Sequence, residues 1–374
     1  MAVELGVFQL GLIDDTRVGL LISIYDSFIG IEATLVRQSE YSRKNFMTVE
    51  PKSCVLVKGT AGLGNRILCL LTASLYAVAA NRRLLVDWRD PIFTGRSGIA
   101  PDLFSELFAS PLADPLPERI ESQSVAPSLW QGRLNETLDI VGRDNDPIYY
   151  DKFGSFRKLA IRLSRIDYSE DVLVFWSFRE VMRPIRAHLV RIDEQYRKMS
   201  DLEILRQAAQ KYAQPNERVQ SITNQFVSEH FRDRMLGLHI RATDLRAPVE
   251  KLLSVAGQLV KKYDCKGVFC ATDNAEVEDR ARQLLPNLVT LPKQLPKGSI
   301  PLHYDPSCQD RVERATQALV DMLLLSRCPT LAYASRSSFG LVGNIYAQKE
   351  QVAVDVDRFN LKVQGKRFVQ SWIY

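Results

Sequence analysis

The stretch from Cys54 to Asp87 constrains the fold more than any other part of this sequence. It begins with the apolar run CVLVK and ends with RLLVD, and both runs are typical of buried strands. Between them, the glycine-rich segment 59–66 predicts a tight turn, and 67–80 has the spacing of a helix. A strand, a helix and a strand within about 35 residues indicate a right-handed crossover between parallel strands. After an N-terminal extension at 1–50, we therefore expect a Rossmann-like domain.

The second half of the chain repeats this alternation of strand and helix. Helix-like segments there separate four apolar runs that predict strands, at 235–240, 267–271, 287–291 and 330–334. Because 374 residues exceed the usual size of one compact core, we expect two domains. The passage between them begins at Pro215-Asn216, so the predicted N-terminal Rossmann-like domain covers 51–215 and the C-terminal one covers 216–374.

The composition excludes several classes of function. The net charge is +5, the pI is about 8.8, and this basic excess is spread along the chain, so we expect no nucleic-acid partner. Charged residues interrupt the apolar stretch at 5–35, and we expect no membrane association through it. The six cysteines lie mostly in apolar runs, and no spacing of cysteines and histidines fits a zinc site. We therefore expect reduced thiols, no bound metal and a cytoplasmic protein.

Three polar residues, His239, Arg241 and Asp244, lie at the end of the predicted strand 235–240. In open α/β sheets, ligands bind at the carboxyl ends of the strands. An arginine there can hold a phosphate through its planar guanidinium group, and a neighbouring histidine can donate or accept a hydrogen bond. An arginine and an aspartate at a strand end can also form a purely structural pair, and this segment alone does not separate the two interpretations.

The glycine-rich turn is a second candidate binding element. Gly62 and Gly64 allow a ligand to approach the backbone, and the N-terminus of the following helix attracts an anion. A nicotinamide cofactor is one interpretation, with Asp87 as the acid that binds its ribose. However, the spacing G-x-x-G-x-G-N-R differs from G-x-G-x-x-G, and Asn65 and Arg66 stand where a dinucleotide site needs small residues. This motif alone does not decide the ligand.

Asp321 is an acid inside an apolar helical run, where a carboxylate is costly unless it meets a partner or a ligand. It can pair with an arginine, or it can accept hydrogen bonds from the amino groups of a purine. Ser337 and Ser338 precede a predicted helix and suit either an N-cap or a phosphate site. Asp273 suits a helix cap better than a binding site.

Five motifs in this order resemble the fucosyltransferase superfamily. They are Gly62-Leu-Gly-Asn-Arg66, His239-Ile-Arg-Ala-Thr-Asp244, Cys270-Ala-Thr-Asp273, Leu319-Val-Asp-Met-Leu-Leu-Leu-Ser-Arg-Cys328 and Ser337-Ser-Phe339. The chain most resembles the α1,6-fucosyltransferases. The rhizobial nodulation enzymes of this type share the fourth motif and the segment Pro301-Leu-His303. The N-glycan core enzymes share the second motif. The first motif is closer to plant cell-wall and α1,2 enzymes. The combination is far more specific than any single motif.

The resemblance implies a GT-B-like α/β architecture, in which two Rossmann-like domains face each other across a cleft. It implies an inverting fucosyltransferase that needs no metal or other cofactor and moves fucose from GDP-fucose to a glycan acceptor, through an α1,6 linkage to a GlcNAc-type sugar. Arg241 and Asp244 are the implied catalytic residues, and Arg241 would stabilise charge on the departing diphosphate. The implied substrate-binding residues are Gly62, Gly64, Asn65, Arg66, His239, Thr272, Asp273, Asp321, Ser337, Ser338 and Phe339.

Within this set, the resemblance implies that Asp321 binds the guanine or its ribose, and that Ser337 and Ser338 bind the phosphates. One position departs from the pattern: Ala242 stands where the α1,6 enzymes carry a basic residue. Either Arg246 substitutes for it from the next turn, or the donor or acceptor differs. The alternatives are therefore an α1,2 or protein O-linked fucosyltransferase, or a non-catalytic protein that binds a sugar nucleotide. The D-x-D at Asp355-Val-Asp357 lies in a late strand-like run and is expected to be structural.

Overall fold

The computed structural model describes residues 53–89, 102–115, 120–122, 124–148, 153–243, 247–293 and 310–373. These residues all belong to one compact unit, 52–374. The predicted extension at 1–50, the catalytic candidate Asp244, the possible substitute Arg246 and the segment Pro301-Leu-His303 lie outside the described residues. No helix in the described part of the chain is both long enough and apolar enough to cross a membrane.

The first half of the unit is built on a sheet of five described strands. These are β1 (Cys54–Lys58), β2 (Arg83–Asp87), β3 (Asp114–Pro115), β4 (Val125–Ala126) and β5 (Val172–Phe175). They pair in the order β3-β2-β1-β5-β4, and each described pairing is parallel. Every residue of β1 and β5 is buried, as expected for parallel strands covered by helices on both faces.

The second half contains another parallel sheet, made of β6 (Met235–Ile240), β7 (Gly267–Thr272), β8 (Leu288–Val289), β9 (Thr330–Tyr333) and β10 (Val352–Asp355). Its order is β10-β9-β6-β7-β8, which is the strand order of a Rossmann-like sheet. The predicted strands at 235–240, 267–271 and 330–334 lie within one residue of their observed bounds. The predicted α/β class with two Rossmann-like sheets is therefore confirmed.

Helices cover both sheets and connect their strands. In chain order they are α1 (Leu63–Ala79), α2 (Leu103–Leu107), α3 (Leu138–Asn145), α4 (Phe153–Lys158), α5 (Arg183–Ile192), α6 (Asp201–Tyr212), α7 (Glu217–His230), α8 (Val249–Lys262), α9 (Ala275–Leu284), α10 (Arg311–Arg327), α11 (Ser338–Ile345) and α12 (Leu361–Ile373).

Helix α1 begins four residues earlier than the sequence pattern predicts. Gly62 is its extended N-cap, and the Gly62 carbonyl accepts the first backbone bonds, from the N–H groups of Asn65 and Arg66. Leu63 and Ile67 lie one turn apart and are both buried, so the apolar face of the helix starts inside the glycine-rich segment. Gly64 and Asn65 therefore belong to the first turn of a helix and not to a loop.

The two sheets share one continuous core. The larger cluster of buried apolar side chains runs from β1 and β5 through α1 to α10, whose Leu319 and Leu324 are fully buried in it. A second cluster lies around β6, β7 and α8. Each sheet falls within one of the two predicted domains, 51–215 and 216–374, but the boundary at Pro215-Asn216 stays a prediction because the core crosses between the halves.

Candidate active site

A single cavity lies where both sheets have their topological switch points. In the first sheet, β2 and β5 lie on opposite sides of β1, and in the second, β7 and β9 lie on opposite sides of β6. Such a reversal leaves a crevice outside the carboxyl ends of the central strands. The cavity is lined by residues that follow β1, β5, β6, β7 and β9. Both crevices therefore open into one space.

This cavity has a volume of about 1390 Å³, whereas pockets for small ligands measure roughly 300–1,000 Å³. It is therefore larger than a typical pocket for one small ligand. Its described lining includes eight lysine and arginine side chains and four aspartate and glutamate side chains. This excess of positive charge favours an anionic ligand. The lining contains most of the predicted site residues: Gly62, Gly64, Asn65, His239, Arg241, Thr272, Asp273, Asp321, Ser337, Ser338 and Phe339.

His239 is the next-to-last residue of β6 and is only 5% exposed. Its ring stacks flat on Phe339, with ring centroids 4.8 Å apart and planes 6° from parallel. Burial, assisted by Arg241 and Lys293, lowers the pKa of His239 to about 3, so the imidazole is neutral at pH 7. Its Nδ1 atom has no hydrogen-bond partner among the described residues. The site thus contains a buried neutral imidazole whose Nδ1 atom makes no hydrogen bond to the described residues.

Asp273 holds the turn that carries Arg241. Its carboxylate accepts hydrogen bonds from the Ala242 N–H at 2.7 Å and from the Thr243 hydroxyl at 2.5 Å, and its Oδ2 lies 3.9 Å from Arg241 Nε. The cap of α9 is Asn274, so Asp273 does not act as the N-cap that its position suggests. Thr272, the last residue of β7, is buried beside it. Arg241 therefore projects from a turn whose backbone is fixed before any ligand binds.

The N-termini of α1 and α11 meet at this cavity. The Ser338 hydroxyl donates a hydrogen bond to Asn65 Oδ1 and so joins the first turns of the two helices. A Cβ atom on Gly64 would lie 2.7 Å from Ser338 Oγ and 3.2 Å from Phe339 N, so only glycine allows this close approach. Ser337 is the N-cap of α11. Because helix N-termini attract anions, two of them at one place form a strong candidate phosphate site.

Asp321 and Lys293 form an ion pair on another wall of the cavity. Lys293 Nζ donates to Asp321 Oδ2, and the side chains are 9% and 3% exposed. Asp321 Oδ1 has no hydrogen-bond partner among the described residues. Burial raises the pKa of Asp321, and Lys293 offsets part of that rise. Lys293 carries no sequence signal, because it follows the short strand β8 in an irregular segment without a recognisable motif.

Arg66 does not line the cavity. It is 1% exposed, its Nε donates to the Ala61 carbonyl at 3.0 Å, and its guanidinium carbon lies 5.9 Å from the centre of the Trp88 ring. In this position Arg66 supports the glycine-rich turn from behind. Its predicted contact with substrate stays a prediction.

Asp87 does not line the cavity either, and its carboxylate is already bound. It accepts hydrogen bonds from Lys58 Nζ at 2.5 Å and from Arg89 Nε at 2.9 Å. Burial alone raises the pKa of Asp87, but these two cations outweigh burial and lower it. Because this carboxylate is buried and both of its oxygens already bind cations, Asp87 is poorly placed to bind a ribose, which argues against the nicotinamide interpretation.

Glu180 and Arg367 are further cavity residues without a sequence signal. Glu180 follows β5 and accepts a hydrogen bond at 2.9 Å from Arg367, which lies on α12. Arg179 lies on the other side of the carboxylate, with its Nε 3.6 Å from Glu180 Oε2. Helix α12, near the end of the chain, thereby contacts the loop after β5 and contributes a wall of the cavity.

The D-x-D residues support the turn after β9. Asp355 accepts a hydrogen bond from the Ser335 N–H at 2.9 Å, and Asp357 pairs with Arg336 at 2.6 Å. Both contacts are consistent with the structural role expected from the sequence. Across the described ranges, no group of three histidine, cysteine, aspartate or glutamate residues is placed to hold a metal ion.

The fold and the cavity define an α/β protein with two Rossmann-like sheets and a basic cleft suited to a phosphorylated ligand. No family model and no curated protein matches the sequence. Among solved structures, the chain is similar to a NodZ α-1,6-fucosyltransferase soaked with GDP-fucose, with a TM-score of 0.55, 19% identity, and coverage of 82% of this chain and 96% of that chain. Fucosyltransferase NodZ from Bradyrhizobium is similar with a TM-score of 0.55, 20% identity, and coverage of 82% and 96%.

A mutant of FUT1 from Arabidopsis thaliana in complex with GDP is also similar, with a TM-score of 0.51, 14% identity, and coverage of 82% of this chain and 72% of that chain. These likenesses show that the chain has the fold of the fucosyltransferases. The predicted resemblance to this superfamily, and to the nodulation type within it, is therefore confirmed at the level of the fold.

Proposed function

We propose that the protein transfers fucose from GDP-fucose to a glycan acceptor. The observation that carries this proposal is the meeting of Arg241 and the N-termini of α1 and α11 at one basic cavity, within a fold shared with fucosyltransferases. The diphosphate lies at the two helix N-termini, with the Ser337 hydroxyl and the Ser338 backbone N–H donating to it. The guanine lies toward Asp321.

In this proposal Arg241 stabilises the leaving group. Negative charge grows on the diphosphate as the bond to fucose breaks, so a donor that is already in position binds the transition state more tightly than the ground state. Asp273 provides that positioning through its bonds to Ala242 and Thr243. Asp244 is the second proposed catalytic residue.

We further propose an inverting reaction that forms an α1,6 linkage to a GlcNAc-type sugar and requires no metal. The α1,6 linkage is supported by the similarity to NodZ, which is named an α-1,6-fucosyltransferase. The metal-free mechanism is supported by the basic side chains and helix N-termini, which supply positive charge at the place where a metal would otherwise neutralise the diphosphate.

The direct test incubates the purified protein with GDP-fucose and a GlcNAc-terminated oligosaccharide, with GDP-mannose and UDP-galactose as control donors. We expect GDP release and an acceptor that gains the mass of one deoxyhexose, with GDP-fucose only. Transfer of another sugar would contradict the donor assignment. Binding of GDP-fucose without transfer would favour the alternative of a non-catalytic sugar-nucleotide-binding protein.

GDP should raise the melting temperature of the protein, whereas UDP should not. The reason is that Asp321 offers a carboxylate to guanine, whose N1–H and N2 amino group are both donors. At 100 times its dissociation constant, GDP would stabilise the folded state by about 2.7 kcal/mol. Thermal melts with each nucleotide at matched concentrations measure this difference. Equal shifts with GDP and UDP would contradict the guanine assignment.

Transfer should continue at an unchanged rate in EDTA. The chelator removes divalent cations, and in the proposed mechanism the charge on the leaving diphosphate is stabilised by protein groups alone. Initial rates are compared with EDTA, with added Mg²⁺ and with added Mn²⁺. A rate that collapses in EDTA and returns with either metal would overturn the metal-free mechanism.

A further inference from the structure

The two oxygens of the Asp321 carboxylate have different surroundings. Oδ2 accepts a hydrogen bond from Lys293 Nζ, while Oδ1 has no hydrogen-bond partner among the described residues. Both side chains line the cavity and both are almost fully buried. Oδ1 is itself buried, and a buried carboxylate oxygen without a partner is costly unless a ligand satisfies it.

We propose that Lys293 is a positioning residue for base selection, which orients the Asp321 carboxylate so that Oδ1 meets the guanine of the donor. This inference rests on the proposed use of a GDP-sugar. Guanine presents two adjacent donors, N1–H and the N2 amino group, whereas adenine presents an acceptor at N1 beside its N6 amino group. An ionised carboxylate only accepts hydrogen bonds, so it matches guanine and leaves adenine N1 without a donor.

The electrostatics of the pair support the same role. Burial raises the pKa of Asp321, and the nearby Glu278 adds to the rise, while Lys293 opposes both. Without its ammonium group, the buried carboxyl would more readily take up a proton and become a donor as well as an acceptor. A protonated Asp321 could then donate to adenine N1, and selection of guanine would be lost.

Lys293 also comes from a different element than its partner. Asp321 lies on the buried helix α10, whereas Lys293 follows β8 at the edge of the second sheet. The ion pair therefore fixes the carboxylate from outside its own helix. A lysine that bound the phosphates instead would strengthen the binding of every nucleoside diphosphate equally, because all of them carry the same diphosphate.

The experiment compares the dissociation constants of GDP and ADP for the wild type, Lys293→Met, Lys293→Gln and Lys293→Arg, by isothermal titration. We expect the wild type to prefer GDP. We expect the two neutral variants to lose about tenfold or more of that preference, the scale of one hydrogen bond to a charged group. Lys293→Arg keeps the ion pair and should retain most of the preference.

The possible results separate this inference from the proposed function. Neutral variants that keep the full GDP preference, or that bind GDP and ADP more weakly to the same extent, would overturn the role of Lys293 but not the proposed function. A wild-type protein with no preference for GDP would overturn the guanine assignment and this inference with it. The Gln variant can still donate a hydrogen bond to Oδ2 without a charge, so it supplies the comparison if the Met variant does not fold.

Discussion

Arg241→Lys should lower the rate of fucosyl transfer by about 10²–10³ and leave the protein folded. The substitution keeps the positive charge but replaces a planar group that can bind two oxygens with a single mobile ammonium. Because Asp273 fixes the turn before the ligand arrives, the lost bonds are those made to the charge that develops in the transition state. Ala242 leaves no adjacent arginine to compensate.

The assay compares kcat and kcat/KM for Arg241→Lys and for Arg280→Lys. Arg280 is a matched control because it is more than half exposed and pairs with Glu250 on the surface. The rate of the Arg280→Lys variant should therefore equal that of the wild type. Circular dichroism confirms that both variants are folded. Retention of more than about a tenth of the wild-type rate by Arg241→Lys would contradict the proposed role, given the usual scale of such losses.

Asp87→Ala should lower the free energy of unfolding by about 3–5 kcal/mol, because it leaves the charge of Lys58 buried without its acid. Lys58 is 2% exposed, and burial lowers the pKa of its ammonium group while Asp87 raises it. The carbonyls of Leu134 and Glu136 also accept from Lys58, but neither carries a negative charge. The variant protein must therefore either bury a cation without its hydrogen-bonded carboxylate or deprotonate it.

Chemical denaturation of Asp87→Ala and Asp114→Ala measures this effect. Asp114 lies in the same sheet and pairs with Arg83, but both side chains are 54% exposed. Loss of such a surface pair typically costs roughly 0–1 kcal/mol. If the two variants are equally stable, the buried pair contributes no more than an exposed one, and the structural role assigned here to Lys58 and Asp87 is wrong.

The repeating pattern of apolar runs predicted the fold well because parallel strands are buried on both faces. The six residues of β6 are all buried, and their sequence is correspondingly apolar except for His239. The pattern was less reliable at helix ends. Residues 183–212 keep a helical spacing throughout, but Asp193 and the capping box of Ser200 and Glu203 start new segments within them.

The candidate site was predictable only where its residues belong to recognisable sequence motifs. Arg241, Asp321 and Ser338 lie in such motifs, and the fold brings all three to the same cavity. Lys293, Glu180 and Arg367 lie in irregular segments or near the end of the chain, so their place depends on the packing of distant elements. Arg66 lies inside a motif, yet its side chain supports the backbone of the glycine-rich turn and does not line the cavity.

The contact between Asn65 and Ser338 joins residues that are 273 positions apart in sequence. Neither helix N-terminus encloses an anion by itself, so the proposed phosphate site does not exist until both sheets have folded and met. During synthesis, the ribosome must therefore release most of the chain before any nucleotide can be held. Nucleotide affinity consequently reports on the assembly of the entire unit, and a mutation at Gly64 and one at Ser338 should affect each other although they lie in opposite halves of the protein.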